Sequence, residues 1–313
     1  MDQKELIRIG LPVYNGEAHL AEALESLLHQ TYENFELFLV DNVSTDKTPD
    51  IAKAYAKKDP RLTYIRQKEW GNVTANWRRT YDLAARGVRF FMWTSHDDLW
   101  AKDYIEQLLP PLLDRPEVVL SFSRVAQIDK RGQVTTLVCR DDYPTGDTAF
   151  GRIRSIINSC NFSPIYGIIR TAAVQWIPCL IETCFGPDLW FLLQLSAAGK
   201  FHMTESRLFY KRLGGISETG QESSTSRDPD KTWNIGQEEW NLIRDLNLSF
   251  LTKLYIYYRL KIIAKALYPR HKEIPLFLQP FYCYYMLRNN PRHFGIRSGL
   301  RRTIFPMWGD RRK

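Results

Sequence analysis

Short apolar runs alternate with longer amphipathic segments along the first 66 residues of the chain. The runs at Leu6–Leu11, Phe35–Val40 and Leu62–Ile65 have the length of strands. The segments after the first two carry apolar residues at three- and four-residue spacing, which is typical of one face of a helix. Alternating strands and helices predict βαβ units, in which parallel strands form a sheet covered by helices.

The same pattern continues beyond residue 70. Helices are predicted from Val73 to Ala85 and from about Lys102, and a strand at Val118–Phe122. Between them, Phe90–Trp93 is a run of four apolar residues, and its lack of alternation predicts a strand that is buried on both faces. The expected fold class is therefore α/β, with an open sheet flanked by helices.

Charged residues follow three of the predicted strands. Asp41 and Arg66 follow the second and third strands, and Asp97 and Asp98 come shortly after Phe90–Trp93. In open α/β sheets, ligands bind outside the carboxyl ends of the strands. Two adjacent carboxylates repel each other unless a cation or hydrogen-bond donors neutralise them, and a divalent metal that carries phosphate oxygens would do so. The alternative is that the pair consists of solvated turn residues or caps the next helix.

The loop after the first strand contains Tyr14, Asn15 and Gly16, and a glycine there lets the backbone approach a ligand closely. We expect the strand to break at Pro12 and Asn15 to cap the following helix. The sequence has neither GxGxxG after this strand nor GxxxxGK(S/T) elsewhere, so the common phosphate loops are absent. Bound phosphates would then depend on a metal held by carboxylates.

Composition narrows the class of protein. The 313 residues are 44% hydrophobic and 25% charged, which is ordinary for a soluble globular protein. The five cysteines form no CxxC, so we expect reduced thiols instead of zinc ligands or disulfides. The amino terminus lacks the pattern of a secretory signal, and no apolar run approaches the length of about 18 residues that a membrane span requires. We therefore expect a cytoplasmic protein.

The motifs from Pro12 to Asp98 resemble, in order and spacing, those of the inverting glycosyltransferases of family 2, which have the GT-A fold. In that family the second strand ends in an acid-rich DDGSTD sequence; here it is DNVSTD, with Asn42 and Val43 in place of the second acid and the glycine. The SHDD sequence is similar to the DxD region, with Ser95 where a first acid is common. The resemblance covers roughly residues 5–215.

The resemblance implies a Rossmann-like open mixed sheet and a nucleotide-sugar donor at its edge. It implies that Asp98, or Asp97 with it, holds Mg²⁺ or Mn²⁺, that Asp97 also reaches the ribose, and that Asp41 recognises the base. The remaining implied donor contacts are Pro12, Tyr14, Asn15, Arg66, Asn76 and Arg212. His96 is a further candidate ligand, although a histidine between these residues is more often a hydrogen-bonded turn residue.

A second acid expected from the family follows about ninety residues later. Asp188 begins a predicted helix and is similar to the family's general base, although an aspartate before an apolar run is also a common helix cap. Further on, Lys211 and Arg212 precede a glycine-rich loop, as in the family, and either could contact the diphosphate. The alternative is a solvated basic turn.

These roles describe a single displacement with inversion. A metal would stabilise the charge of the leaving diphosphate, and one carboxylate would accept the proton of the attacking hydroxyl. We expect a sugar, from a UDP-linked donor, to be moved to a glycan or lipid-linked acceptor in cell-surface polysaccharide synthesis. The alternative is a non-catalytic nucleotide-sugar or nucleic-acid binding module, which the differences from the family motifs at Asn42, Val43 and Ser95 allow. Asp188 argues against this alternative, because a binding protein needs no general base.

Three regions are expected: a transferase domain at 1–215, a mobile loop or linker with a connecting helix at 216–245, and a helical tail at 246–313. Residues 251–313 hold 14 Lys and Arg but only two acids. Basic residues interleaved with aromatics suit an anionic membrane surface, which would place the protein at the inner face of the membrane. Alternatively, the tail's apolar stripe packs on the transferase domain. Nucleic acid is an unlikely partner, since no nucleic-acid module is recognisable.

Overall fold

The computed structural model describes residues 4–135, 143–159, 161–174, 187–213 and 237–267. Its strands are β1 (Ile7–Val13), β2 (Phe35–Asp41), β3 (Leu62–Arg66), β4 (Phe90–Trp93), β5 (Leu99–Trp100), β6 (Val118–Ile128), β7 (Ile168–Arg170) and β8 (Lys200–Arg212). Its α-helices are α1 (Leu20–Leu28), α2 (Thr48–Lys58), α3 (Val73–Ala84), α4 (Tyr104–Leu108), α5 (Pro110–Asp114), α6 (Ala149–Ser159), α7 (Pro187–Ala198), α8 (Gln237–Asp245) and α9 (Phe250–Leu267). Short 3₁₀ turns lie at Ser163–Tyr166 and Thr171–Ala173.

The strands form one mixed sheet in the order β3-β2-β1-β4-β7-β6-β8-β5. The first four neighbours are parallel, β7 runs antiparallel to both β4 and β6, β8 is parallel to β6, and β5 is antiparallel to β8. The predicted α/β class is therefore confirmed. Because the parallel strands share a direction, the carboxyl ends of β1 to β4 meet at one edge.

The centre of the sheet is apolar on both faces, as the sequence of β4 predicted. All four residues of Phe90–Trp93 are buried. On one side, Trp77 and Tyr81 of α3 pack on the Trp93 ring at centroid distances of 4.7 and 5.8 Å. Helix α3 comes this close because Gly10 of β1 has no side chain: a Cβ there would lie 2.8 Å from Thr80.

The predicted break at Pro12 is wrong, because β1 continues to Val13 with Pro12 opposite Val40 of β2. In this parallel strand, Gly10 accepts a hydrogen bond from Thr94 on the β4 side, and Val13 accepts one from Asn42 on the β2 side. Because the sides alternate along a strand, an N–H at position 12 would point towards β4. The pairing of β1 with β4 has already ended at that position, since its last pair is Gly10 with Trp93. The proline therefore removes no ladder hydrogen bond.

The predicted cap of the first helix is also wrong. Helix α1 begins at Leu20 with His19 at the N-cap position. Asn15 instead has a positive φ of 49°, and its Oδ1 accepts a hydrogen bond from the backbone N–H of Thr45 at 2.9 Å. Its side chain therefore joins two loops and does not cap the helix. Further along the chain, the helix after β5 is interrupted before Pro110, where α4 gives way to α5.

The last described helix, α9, packs on α6. Ile256 and Leu260 of α9 are buried, and Arg259 donates a hydrogen bond to Asn158 Oδ1 at 2.7 Å. Tyr258 is exposed, so the buried side of α9 lies around Ile256 and Leu260. No helix among residues 237–267, or elsewhere in the described chain, is long and apolar enough to cross a membrane. Residues 216–236 of the predicted loop or linker region, and the tail beyond residue 267, lie outside the described residues.

Candidate active site

Two of the predicted site residues form an ion pair at the carboxyl ends of neighbouring strands. Asp41 of β2 lies opposite Arg66 of β3, whose Nη1 is 3.4 Å from Asp41 Oδ2. The same oxygen accepts a hydrogen bond from the Tyr64 hydroxyl, and Oδ1 accepts one from the backbone N–H of Ser44. Asp41 is fully buried. Tyr64 was not predicted as a site residue, although the two-residue period of β3 puts it on the same side as Arg66.

The loops after β1 and β2 are tied together by hydrogen bonds. The backbone N–H groups of Asn15 and Gly16 donate to the hydroxyls of Ser44 and Thr48, at 2.9 and 2.8 Å. Further contacts join Thr45 to Asn15, Glu17 to Asp46, and Lys47 to Glu17. In the middle of the second loop, Val43 has a φ of 63°, a conformation that suits glycine and strains a β-branched residue. Here the chain keeps a glycine-like backbone without the glycine of the resembled family.

The acid pair after β4 is buried, so it does not consist of solvated turn residues. Asp97 and Asp98 are 7% and 4% exposed. Oδ2 of Asp98 accepts a hydrogen bond from the Ser95 hydroxyl at 2.5 Å, and Oδ1 accepts one from the backbone N–H of Arg212 at 2.8 Å. Burial, followed by the neighbouring charge of Asp97, raises the pKa of Asp98 to about 7. The helix that follows has Asp103 at its N-cap position, so neither member of the pair caps it.

The Arg212 side chain is directed at protein acceptors. It is 1% exposed, and its Nε donates to the backbone carbonyl of Asp97 at 2.8 Å. Nη1 donates to the carbonyls of Asp129 and Lys130, and Nη2 to Glu22 Oε2 at 2.6 Å. Arg212 thus fastens the acid pair to β8 and is not part of a solvated turn.

Lys211 connects the acid pair electrostatically with Asp188. Asp188 is the second residue of α7, and burial raises the pKa of its carboxyl to about 6. The half-buried ammonium of Lys211 lowers the pKa of Asp188 and also that of Asp98. Lys211 is therefore within electrostatic reach of both carboxyls.

Two further candidates have polar atoms without a protein partner among the described residues. Asn76 of α3 points its Nδ2 at the carbonyl of Val13 over 3.5 Å, while its buried Oδ1 has no partner. His96 is buried against Gly16, its Nε2 has no partner, and burial lowers its pKa. Tyr14 lies half-buried in the loop after β1.

The residues present fit a divalent metal for which the protein supplies some of the ligands and a substrate supplies the others. Asp97 and Asp98 are adjacent oxygen donors in a buried setting, and the pKa of Asp98 is raised first by burial and then by the charge of Asp97. No group of three or more His, Cys, Asp or Glu that could hold a metal occurs in the described parts of the chain. Mg²⁺ is commonly bound by one or two carboxylates together with substrate phosphates, so the pair is sufficient for that kind of site.

A buried acid pair outside the carboxyl ends of a mixed sheet, with a third carboxyl nearby, is typical of GT-A-type transferases. The model of Glycosyl transferase family 2 matches residues 9–171 of the chain. The chain belongs to this family and is a glycosyltransferase, as the sequence motifs predicted. The alternative of a non-catalytic binding module is therefore not supported.

Relatives and solved structures agree with this assignment. An uncharacterized glycosyltransferase of Rickettsia typhi is 24% identical over 266 residues, which cover 81% of this chain and 80% of the relative. The minor teichoic acid biosynthesis protein GgaB of Bacillus subtilis is 37% identical over 101 residues, or 32% of this chain and 11% of GgaB. The name of this second relative refers to minor teichoic acid biosynthesis.

Two solved structures share the fold. S. aureus TarS 1–349 in complex with UDP-GlcNAc has a TM-score of 0.63 at 18% identity, over 90% of this chain and 79% of that one. The mannosyltransferase PcManGT of Pyrobaculum calidifontis, in complex with GDP-Man and Mn²⁺, has a TM-score of 0.53 at 15% identity, over 92% and 81%. At these identities the likeness shows the fold alone, which is that of proteins solved with nucleotide-sugar donors.

Proposed function

We propose that the protein transfers a sugar from a nucleotide-sugar donor to the hydroxyl of a glycan or lipid-linked acceptor, with inversion at the anomeric carbon. The observation that carries this proposal is a buried acid pair, Asp97 and Asp98, together with the half-buried Asp188, whose carboxyl lies, like that of Asp98, within electrostatic reach of Lys211. One acid pair for a metal and one separate base are what a single displacement requires.

Asp188 is the proposed general base. It lies apart from the acid pair in sequence and at the start of a different element, so it can face the acceptor while the pair faces the donor. Its pKa of about 6 keeps the carboxyl ionised near neutral pH and still basic enough to accept a proton from an attacking hydroxyl. Only one such carboxylate is needed, because the nucleophile enters opposite the leaving group.

The acid pair is the proposed anchor of the donor diphosphate. Asp98, with Asp97, would hold Mg²⁺ or Mn²⁺, and Asp97 would also contact the ribose. The bound metal would supply Lewis-acid stabilisation of the charge on the leaving nucleoside diphosphate. Lys211 is within electrostatic reach of Asp98 and is the proposed cation for that charge. Arg212 positions the pair through its backbone N–H and through the Asp97 carbonyl.

The rest of the donor site would lie along the ends of β1 to β3. Asp41 and Arg66 would form its floor, and the unpartnered Oδ1 of Asn76 would accept a hydrogen bond from the donor. The loop after β1 would line its mouth through Pro12, Tyr14 and Asn15. A UDP-linked sugar is the proposed donor, supported by the fold shared with TarS in complex with UDP-GlcNAc.

The proposed setting is cell-surface polysaccharide synthesis at the cytoplasmic side of a membrane. The similarity to GgaB, named for minor teichoic acid biosynthesis, supports this class of acceptor. The basic surplus of residues 251–313 supports peripheral contact with anionic lipid. Flotation with liposomes of phosphatidylcholine alone or mixed with phosphatidylglycerol tests the contact, and equal recovery with both would refute it.

The proposed activity is tested by incubating the protein with Mn²⁺ and a panel of UDP-, GDP-, CDP- and TDP-sugars and measuring release of the nucleotide. We expect release from one donor class, and its loss in Asp98→Ala. An exposed-site control, Asp114→Ala, should behave like wild type. Lack of binding and turnover with every donor would refute the proposal.

A further inference from the structure

Asn42, which stands where the resembled family has its second acid, clamps a neighbouring loop. Its Nδ2 donates to the backbone carbonyl of Gly71 at 2.6 Å, and its Oδ1 accepts a hydrogen bond from the N–H of the same residue at 2.9 Å. The amide thus pairs with both backbone groups of one glycine, as a neighbouring strand would. A carboxylate could accept from the N–H but could not donate to the carbonyl, so this clamp requires asparagine.

Other contacts fix the loop between β3 and α3 as well. The backbone N–H of Gln67 donates to the Asp41 carbonyl at 2.8 Å, and Arg79 Nη1 donates to the Glu69 carbonyl at 3.2 Å. Asn72 caps α3 by accepting a hydrogen bond from the N–H of Ala75. The loop is therefore held at both ends and at Gly71, against the end of β2 where Asp41 lies.

The clamped loop presents a tryptophan to solvent. Trp70 immediately precedes Gly71, and 45% of its surface is exposed, although large aromatic residues are buried on average. A lone exposed aromatic is ordinary on a protein surface. An exposed indole next to a backbone that is fixed by a buried side chain is different, because Asn42 holds that backbone beside the end of β2 and so limits where the ring can lie.

We propose that Trp70 stacks on the nucleobase of the donor and that Asn42 is the positioning residue that holds it there. This inference rests on the proposed function, which puts the nucleoside near Asp41. A planar base is the part of a nucleotide sugar that an indole face suits, and stacking on an aromatic side chain tolerates any base. In this proposal, Asn42 replaces the carboxylate of the family's second acid and instead holds the loop of Trp70, so that an aromatic ring contacts the base.

The test is the dissociation constant of UDP in the presence of Mn²⁺, measured by isothermal titration calorimetry on the full chain. GDP, CDP and ADP are measured alongside, and the tightest of the four is carried forward. The variants are Trp70→Ala, Trp70→Phe and Asn42→Asp, with Phe250→Ala as the control, since Phe250 is an exposed aromatic on α9. Inorganic pyrophosphate is the second probe, because it lacks a base.

We expect Trp70→Ala to weaken nucleotide binding at least about fivefold, which corresponds to the lower end of measured base stacking on aromatic side chains. Trp70→Phe should retain most of the affinity, Asn42→Asp should lose part of it, and Phe250→Ala should match wild type. Pyrophosphate should bind all of them equally.

Wild-type nucleotide affinity in Trp70→Ala would overturn the inference and leave the proposed function standing. Equal weakening of nucleotide and pyrophosphate in Trp70→Ala would also overturn it, because the loss would then be structural. If wild type bound none of the four nucleotides, the proposed function would fail and this inference with it.

Discussion

The backbone N–H of Arg212 donates to Oδ1 of Asp98, although the two residues are 114 positions apart. The Arg212 side chain also holds the Asp97 carbonyl, so one residue of β8 fixes the backbone and a carboxyl of the acid pair. The pair is therefore held by the second half of the sheet as well as by β4. Preorganisation of this kind keeps a binding constellation in place without the ligand.

Arg212→Ala should lower the free energy of unfolding by about 3 kcal/mol, because it removes a buried guanidinium that donates to the buried carbonyl of Asp97 and to the part-buried carbonyls of Asp129 and Lys130. Urea denaturation measures the change. Glu22→Gln is the matched control: Glu22 is half exposed, so losing its ion pair with Arg212 should cost under about 1 kcal/mol. Equal effects of the two substitutions would contradict this account of Arg212.

Asp98→Asn should stabilise the metal-free protein at pH 8. The pKa of Asp98 is raised from 3.8 to about 7, so between these values the folded state keeps a proton that the unfolded state has released. The free energy of unfolding therefore falls as pH rises from about 4 to 7. We expect a gain of about 2 kcal/mol at pH 8, no gain at pH 3.5, and none at either pH for exposed Asp114→Asn. A loss of stability at pH 8 would show that the carboxylate is not strained there.

Val43→Gly should raise the free energy of unfolding by about 1 kcal/mol, because the φ of 63° costs a β-branched residue more than glycine loses in chain entropy. Val43→Ala keeps a Cβ and should gain less. Urea denaturation compares the three proteins. If both substitutions destabilise the protein equally, packing of the valine side chain outweighs the backbone strain.

The rate of nucleotide release should rise with pH through about 6 and then level off, because Asp188 must lose its proton before it can act as a base. Saturating Mn²⁺ keeps Asp98 ionised during the measurement. Lys211→Ala should shift this rise in rate, the acidic limb of the pH profile, to higher pH, since the ammonium lowers the pKa of Asp188. Lys53→Ala, on the exposed side of α2, should leave the limb unchanged. An unshifted limb in Lys211→Ala would refute the proximity of Lys211 to the base.

Local patterns predicted the regular part of the fold well. The apolar run at Phe90–Trp93 and the helical spacing of α1 and α3 identified buried strands and their covering helices, because burial leaves a periodic trace in sequence. The break expected at Pro12 was wrong for a reason that is not local: whether a missing N–H matters depends on where the ladder of the neighbouring strand ends.

The places of the candidate acids in the fold could be predicted from the sequence, whereas the residues that hold them in position could not. Asp41, Asp97, Asp98 and Asp188 follow strands or begin a helix, so their positions can be inferred from neighbouring residues. The partners of Arg212 could not be, because backbone carbonyls of distant loops carry no signal in the sequence. Arg212 was therefore expected on a diphosphate, whereas the structure directs its guanidinium at protein carbonyls.

In the proposed mechanism, Asp188 acts as the general base while Asp97 and Asp98 hold the metal. The rate of nucleotide release by Asp188→Asn, measured with Mn²⁺ and the donor that wild type uses, is the most direct test of these roles. The account predicts that release falls by at least about 100-fold, as expected for loss of a general base, while the dissociation constant of the nucleotide stays within about twofold of wild type. Release at the wild-type rate in Asp188→Asn would contradict it.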